Sequence, residues 1–166
     1  MNMPKASDRM AFVDITPKGS SRTYARIGKG FDMSRPQSKS TLLTTQWLDD
    51  EFATTSILSK AVSRQISGRR IVGDPFNDYF VSLFNKSGSD CETTIVIVDS
   101  WDRVSTSSNV YRAKRYNVTI DCTNDGGGSV ADGLRIEGVI YFNGNPVEGY
   151  FNLDTKVFTE STGEGA

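Results

Sequence analysis

Carboxylates are the first residues in this sequence whose types and spacing could do chemistry. Glu92, Asp99 and Asp102 could supply a general acid and a general base, work that needs two such groups at a defined separation. Nothing in the sequence sets that separation, so they read as surface charges. Asp121, Asn124, Asp125 and Asp132 bracket Gly126-Gly127-Gly128, and calcium takes several oxygens close in space. Their spacing is not that of an EF-hand, and a solvated, glycine-rich hairpin loop accounts for the same residues. The glycines are no phosphate cradle either, because no lysine and no helix start follow them.

Nucleophilic chemistry is poorly served. The 166 residues include no histidine, which removes Ser-His-Asp and Cys-His systems, His-bearing zinc sites and an imidazole base. Cys91 and Cys122 are too few and too far apart for a metal cluster or a disulfide framework, and read as reduced, strand-borne thiols. Asn117-Val118-Thr119 forms a glycosylation sequon, irrelevant in a chain whose first residues hold no apolar run of a secretory signal. The expectation is therefore residence in a cytoplasm, with no catalytic, cofactor or metal residues. The longest aliphatic run, Ile95 to Val98, is far below the roughly 20 residues of a membrane span. Tyr111-Arg112-Ala113-Lys114-Arg115-Tyr116 mixes cations and aromatics as single-stranded nucleic-acid binders do, yet a solvated strand edge shows the same pattern.

The elements behind these residues read as short strands with one helix, a pattern of sandwiches and barrels. Arg9 to Thr16 and Arg22 to Gly28 are strand candidates joined by a Pro-Gly turn. From 32 to 56 runs a Ser/Thr/Gln-dominated stretch in which Leu42, Leu43, Trp47, Leu48 and Phe52 recur without strand alternation. It is too long for an ordinary connection and too aromatic for a disordered linker. It reads as an arm that orders against a partner; the competing reading is a loop folded back over its own core. Ile57 to Ser67 leans toward strand.

Asp74 can cap a helix with Pro75 in its first turn. Phe76, Tyr79, Phe80, Leu83 and Phe84 then form one apolar stripe, which a sheet would bury as core. Thr93 to Ser100 suits a central strand, and Tyr116, Val118, Ile120 and Cys122 alternate with polar residues. Asn124 to Gly128 reads as a loop. Leu134, Ile136, Ile140 and Phe142 share a face across Gly138, and Asn143-Gly144 reads as a hairpin turn into Val147 to Leu153. Val157 to Thr159 adds a last strand before a flexible polar tail at 160–166. Residues 1–70 carry 12 basic and 6 acidic side chains, whereas residues 71–166 carry 7 and 14. Such polarity suits head-to-tail stacking, unless folding interleaves the halves.

Gly73-Asp74-Pro75-Phe76-Asn77-Asp78-Tyr79-Phe80, the Thr93 to Trp101 strand and Asn143-Gly144 together resemble the major tail tube proteins of long-tailed bacteriophages. The resemblance extends to Arg22 to Gly28, to the Thr/Trp/Asp/Glu-rich stretch Thr44 to Thr55 and to the C-terminal strand meander, and so covers the whole chain as one 1–166 domain. It implies a mainly β fold with one α-helix, a β-sandwich or half-barrel with a flanking helix, related to type VI secretion tube proteins. It also implies hexameric rings that stack around a tape-measure protein, with tail terminator and baseplate or tail-tip initiator proteins as further partners. DNA would pass through an acidic lumen without specific binding, in a virion tail assembled in the bacterial cytoplasm. On this reading Leu42, Leu43, Trp47, Leu48 and Phe52 pack on an adjacent subunit or ring. A single-stranded nucleic-acid-binding barrel is the alternative, and an enzyme without histidine the third.

Overall fold

The computed structural model describes residues 2–106 and 108–162. Eight strands form one antiparallel sheet: β1 (Arg9–Asp14), β2 (Tyr24–Arg26), β3 (Phe31–Thr45), β4 (Thr54–Arg69), β5 (Glu92–Arg103), β6 (Val110–Gly127), β7 (Arg135–Asn152) and β8 (Val157–Glu160). Their order is β2-β1-β5-β6-β7-β4-β3, with β8 pairing the C-terminal part of β7. The single α-helix among the described residues, α1 (Pro75–Ser82), lies between β4 and β5 in the chain. The mainly β architecture with one flanking helix expected from the sequence is the one observed.

The helix begins where local chemistry permits. The Asp74 carboxylate accepts a hydrogen bond from Asn77 N at 3.0 Å, satisfying one of the N–H groups left free in a first turn. Pro75 occupies a position that needs no donor. Phe76, Phe80 and Leu83 are buried against Ile66, Ile95, Val118, Ile120, Ile136 and Ile140. Phe80 sits directly over Gly138, where a Cβ would stand 2.6 Å from the phenyl ring and 2.3 Å from Asp121 O. The missing side chain at 138 is what lets helix and sheet approach. Phe84 departs from the expected stripe: the helix ends at Ser82, and Phe84 lies beyond it, exposed. Leu134, just outside β7, is exposed as well.

A second apolar cluster occupies the opposite face, built from Met10, Phe12, Tyr24, Val96, Val98, Ala113 and Phe151. The Phe12 and Phe151 rings are 4.7 Å apart, although β1 and β7 are three strand spacings apart, about 14 Å in a flat sheet. The sheet must therefore curl, and its register shows where. Asn117 pairs with Asn143 but Arg115 pairs with Val147, so two extra residues accumulate in β7. Gly144, at φ +73°, sits in that irregularity. Asn143-Gly144 is thus not a hairpin turn: the strand runs straight through it as an 18-residue element and bends at a bulge. The expected 124–128 loop is likewise largely strand, since β6 continues to Gly127 through its own irregularities.

Charge is also arranged differently from the linear pattern. The basic N-terminal half supplies both outer edges, β2-β1 and β4-β3, while the acidic C-terminal half supplies β5, β6 and β7 between them. The halves interleave, so the polarity of the sequence does not become a head and a tail. Cys91 ends a short 3-10 turn rather than lying in a strand, and both thiols are free and buried. No described helix is long and apolar enough to cross a membrane.

Two expectations follow from the core. Phe80→Ala lowers unfolding free energy by about 3–5 kcal/mol and Asp74→Ala by about 1 kcal/mol, both read from urea transitions. Thr93 gives its hydroxyl proton to Asp14 O at 2.6 Å, and the Tyr79 phenol is buried beside that pair. Burial pushes the Tyr79 phenol up to about 12. Its folded value exceeds the ordinary one near 10.0, so the folded state holds the proton longer, and stability falls as pH rises from there toward 12. Tyr79→Phe preserves stability at neutral pH and shrinks this alkaline loss. It does not abolish the loss, because Cys122, pushed up to about 11 by burial, acts in the same direction.

Candidate assembly surface

The stretch at 32–56 is not an irregular arm but most of a long hairpin. β3 and β4 pair from Phe31↔Gly68 to Thr45↔Thr54, with Thr44 and Thr55 hydroxyls hydrogen-bonded at 3.0 Å next to the tip. β7 supports β4 only over Ser63 to Arg69. Beyond Ser63 the hairpin continues without a neighbouring strand, so both its faces meet water. That is why its sequence lacks alternation: with no inner face, nothing demands an apolar residue at every second position. The β-branched threonines held the strand signal, and Pro36 fits because β3 is an edge strand.

The tip at 46–53 is locally ordered. Trp47 N donates to the Asp50 carboxylate at 3.2 Å and Asp50 N to Trp47 O at 3.1 Å. Gln46 Nε2 donates to Asp50 O at 3.2 Å. Around this turn Trp47 is 70 % exposed and Phe52 82 %, Leu48 is fully exposed, and Leu42 and Leu43 project from β3 largely into solvent. All five of the sequence-selected residues therefore lie on one hairpin, and none enters the core. Ile57, Leu58 and Val62 on β4 extend the exposed apolar surface. Sequence reasoning placed these three in a separate strand and missed their partnership with the arm; the Leu42↔Ile57 register joins them. The exposed apolar side chains are shared between both faces of the hairpin, because successive residues of a strand alternate.

Next to the hairpin the sheet forms an open groove of about 990 Å³. It lies on the face that α1 covers at its other end, since Ile97, Tyr116 and Phe142 continue the alternation of Ile95, Val118 and Ile140. Arg9 binds Asp99 through two contacts of 2.7 and 3.1 Å. Arg112 faces Asp102 at 4.0 Å, and Lys114 faces Glu148 at 3.8 Å. Arg64 is nine-tenths buried at the groove wall, donates to Ser34 Oγ at 2.9 Å and leaves its Nε unpaired. Burial, and then the neighbouring Arg9 charge, lower its pKa.

The cation-aromatic strand is divided by this geometry. Arg112 and Lys114 face the groove, whereas Arg115 points the other way, 2.6 Å from Glu160 and stacked over Phe158 at 5.0 Å. Each cation stands against a carboxylate, so no continuous basic strip forms. At the glycine-rich segment Asn124 Oδ1 accepts from Gly126 N and Ser129 donates to Asp132, contacts that shape the loop. Asp99 and Asp102 belong to the groove pairs, and the described residues bring no three His, Cys, Asp or Glu together as a metal site.

No family model matches the sequence, and no curated protein does. The fold, however, matches solved structures along nearly its whole length. A chain in the tail of an empty gene transfer agent particle, refined with C6 symmetry, aligns with TM-score 0.57 and 13 % identity over 87 % of this chain and 97 % of that one. A chain in the virion of a native gene transfer agent particle aligns with TM-score 0.58 and 12 % identity, over 95 % and 99 %. The chain has a tail-tube-like fold. In that fold the hairpin and the groove stay open to solvent. Since Trp47 and Phe52 touch no core, Trp47→Ala and Phe52→Ala shift unfolding free energy by no more than about 0.5 kcal/mol, as thermal and urea melts will show.

Proposed function

We propose that this chain is a structural virion protein that self-assembles into hexameric rings, which stack into the hollow tail tube through which DNA is ejected. The observation that carries the reading is the near-complete, two-way coverage of chains from phage-like tail particles, joined to a hairpin whose apolar residues have no place in their own subunit. Strands β2 and β3 each have an open outer edge, and an edge left unpaired in one subunit is a template for pairing with the next. Ring and stack both follow from heterologous contacts, which close when the rotation permits and otherwise propagate.

The assembly is non-enzymatic and takes no cofactor. Its partners are further copies of itself, a tape-measure protein threaded through the tube, a tail terminator and a baseplate or tail-tip initiator. DNA passes through the lumen without specific binding, and assembly takes place in the bacterial host cytoplasm.

Negative-stain electron microscopy with light scattering over a concentration series tests this reading. Rings or hollow tubes are the expected result. Burying an exposed Trp or Phe side chain contributes about 1.5–3 kcal/mol, so Trp47→Ala and Phe52→Ala each weaken assembly about tenfold or more. A persistent monomer that instead binds single-stranded nucleic acid, more weakly at high salt and on replacing Arg112, Lys114 and Arg115, overturns the proposal in favour of the nucleic-acid-binding barrel.

A further inference from the structure

The groove and the hairpin tip carry complementary, uncompensated charges. In the groove Arg9, Arg112 and Lys114 have carboxylate partners, but Lys60 and Arg64 have none among the described residues. Arg64 is the more demanding of the two: it is nine-tenths buried with an unpaired Nε, and its loss of hydration outweighs the attraction of nearby Asp99. The groove floor between these cations includes the apolar side chains of Val62, Ile97 and Phe142.

The tip presents the opposite composition. Asp49, Asp50 and Glu51 are consecutive, none makes an ion pair among the described residues, and exposed Trp47, Leu48 and Phe52 flank them. A tip cannot enter the groove of its own chain. Thr54, where the tip rejoins β4, and Arg64 are ten residues apart on one continuous strand, about 33 Å at the rise of a β-strand. The occupant must be another copy.

We propose that the tip of one copy, residues 47–52, docks into the groove of the next, its carboxylates meeting Arg64 and Lys60 and its apolar side chains covering the groove floor. The contact joins two different patches of the same chain, so it is heterologous and propagates from subunit to subunit. It rests on the tail-tube reading and names the surface through which that assembly grows. It also brings negative charge beside a buried guanidinium that makes no ion pair among the described residues.

Charge reversal on the full-length chain tests the docking. Asp49→Lys with Glu51→Lys forms the tip variant, which spares the Asp50 carboxylate that accepts from Trp47 N, and Lys60→Glu the groove variant; both change exposed residues, so thermal melts remain those of the wild type. Light scattering against concentration is expected to show at least a tenfold higher half-assembly concentration for each, with most of the loss recovered when the two are combined. Arg64→Met, which keeps the volume and removes the charge, is expected to fold and to lose assembly. Glu51→Cys with Lys60→Cys is expected to give a disulfide-linked ladder on a non-reducing gel that neither single variant gives. A wild type that assembles while the tip variant matches its concentration dependence, or a combined variant no better than its parents, overturns the docking and leaves the tail-tube reading standing. A wild type that stays monomeric and binds single-stranded nucleic acid overturns both.

Discussion

The length mismatch between one short helix and several long strands governs this structure. α1 has 8 residues, about 12 Å of helix, whereas β6 and β7 have 18 each, about 60 Å of strand. The helix can cover only one end of one face. It does so tightly, because Gly138 lets Phe80 settle against the backbone of the sheet. Every other part of the strands must find cover elsewhere or remain in water.

The opposite face finds cover by curling. Register breaks in β6 and β7 bend the long strands until Phe151 meets Phe12 and Tyr24, and Phe158 on β8 packs against the same cluster. Two surfaces have no such solution within the chain. The groove beyond the helix is lined by ion pairs that make its walls polar, and the β3–β4 hairpin leaves its last neighbouring strand at Ser63. A monomer with these features retains solvated apolar groups that another copy can cover.

Charge behaves according to the same geometry. A linear count separates a basic first half from an acidic second half, but the sheet places the first half on both flanks of the second. Coulomb interactions fall with distance and with screening, so the relevant pairs are local ones such as Arg9–Asp99 and Arg115–Glu160. Lys60 at the groove and the consecutive Asp49, Asp50 and Glu51 at the hairpin tip are among the charges that make no ion pair among the described residues.

Elements with a one-sided environment were legible from residue order alone. The Asp74-Pro75 start and the 76, 79, 80, 83 spacing define a helix because capping and a 3.6-residue period are local properties, and the alternation from Tyr116 to Cys122 defines a strand with one buried face for the same reason. The exposed apolar set Leu42, Leu43, Trp47, Leu48 and Phe52 could be singled out as lacking a place in a core pattern. That these residues belong to a hairpin could not, since a strand solvated on both faces has no hydrophobic period. Asn143-Gly144 has the chemistry of a hairpin turn, but β6 continues alongside it, and that neighbour turns the same backbone freedom into a bulge. Which cations acquire carboxylates, which face of the sheet stays open and how far the hairpin extends beyond its support were decided by the tertiary structure. Each depends on contacts between residues distant in the chain, whose positions no local preference encodes.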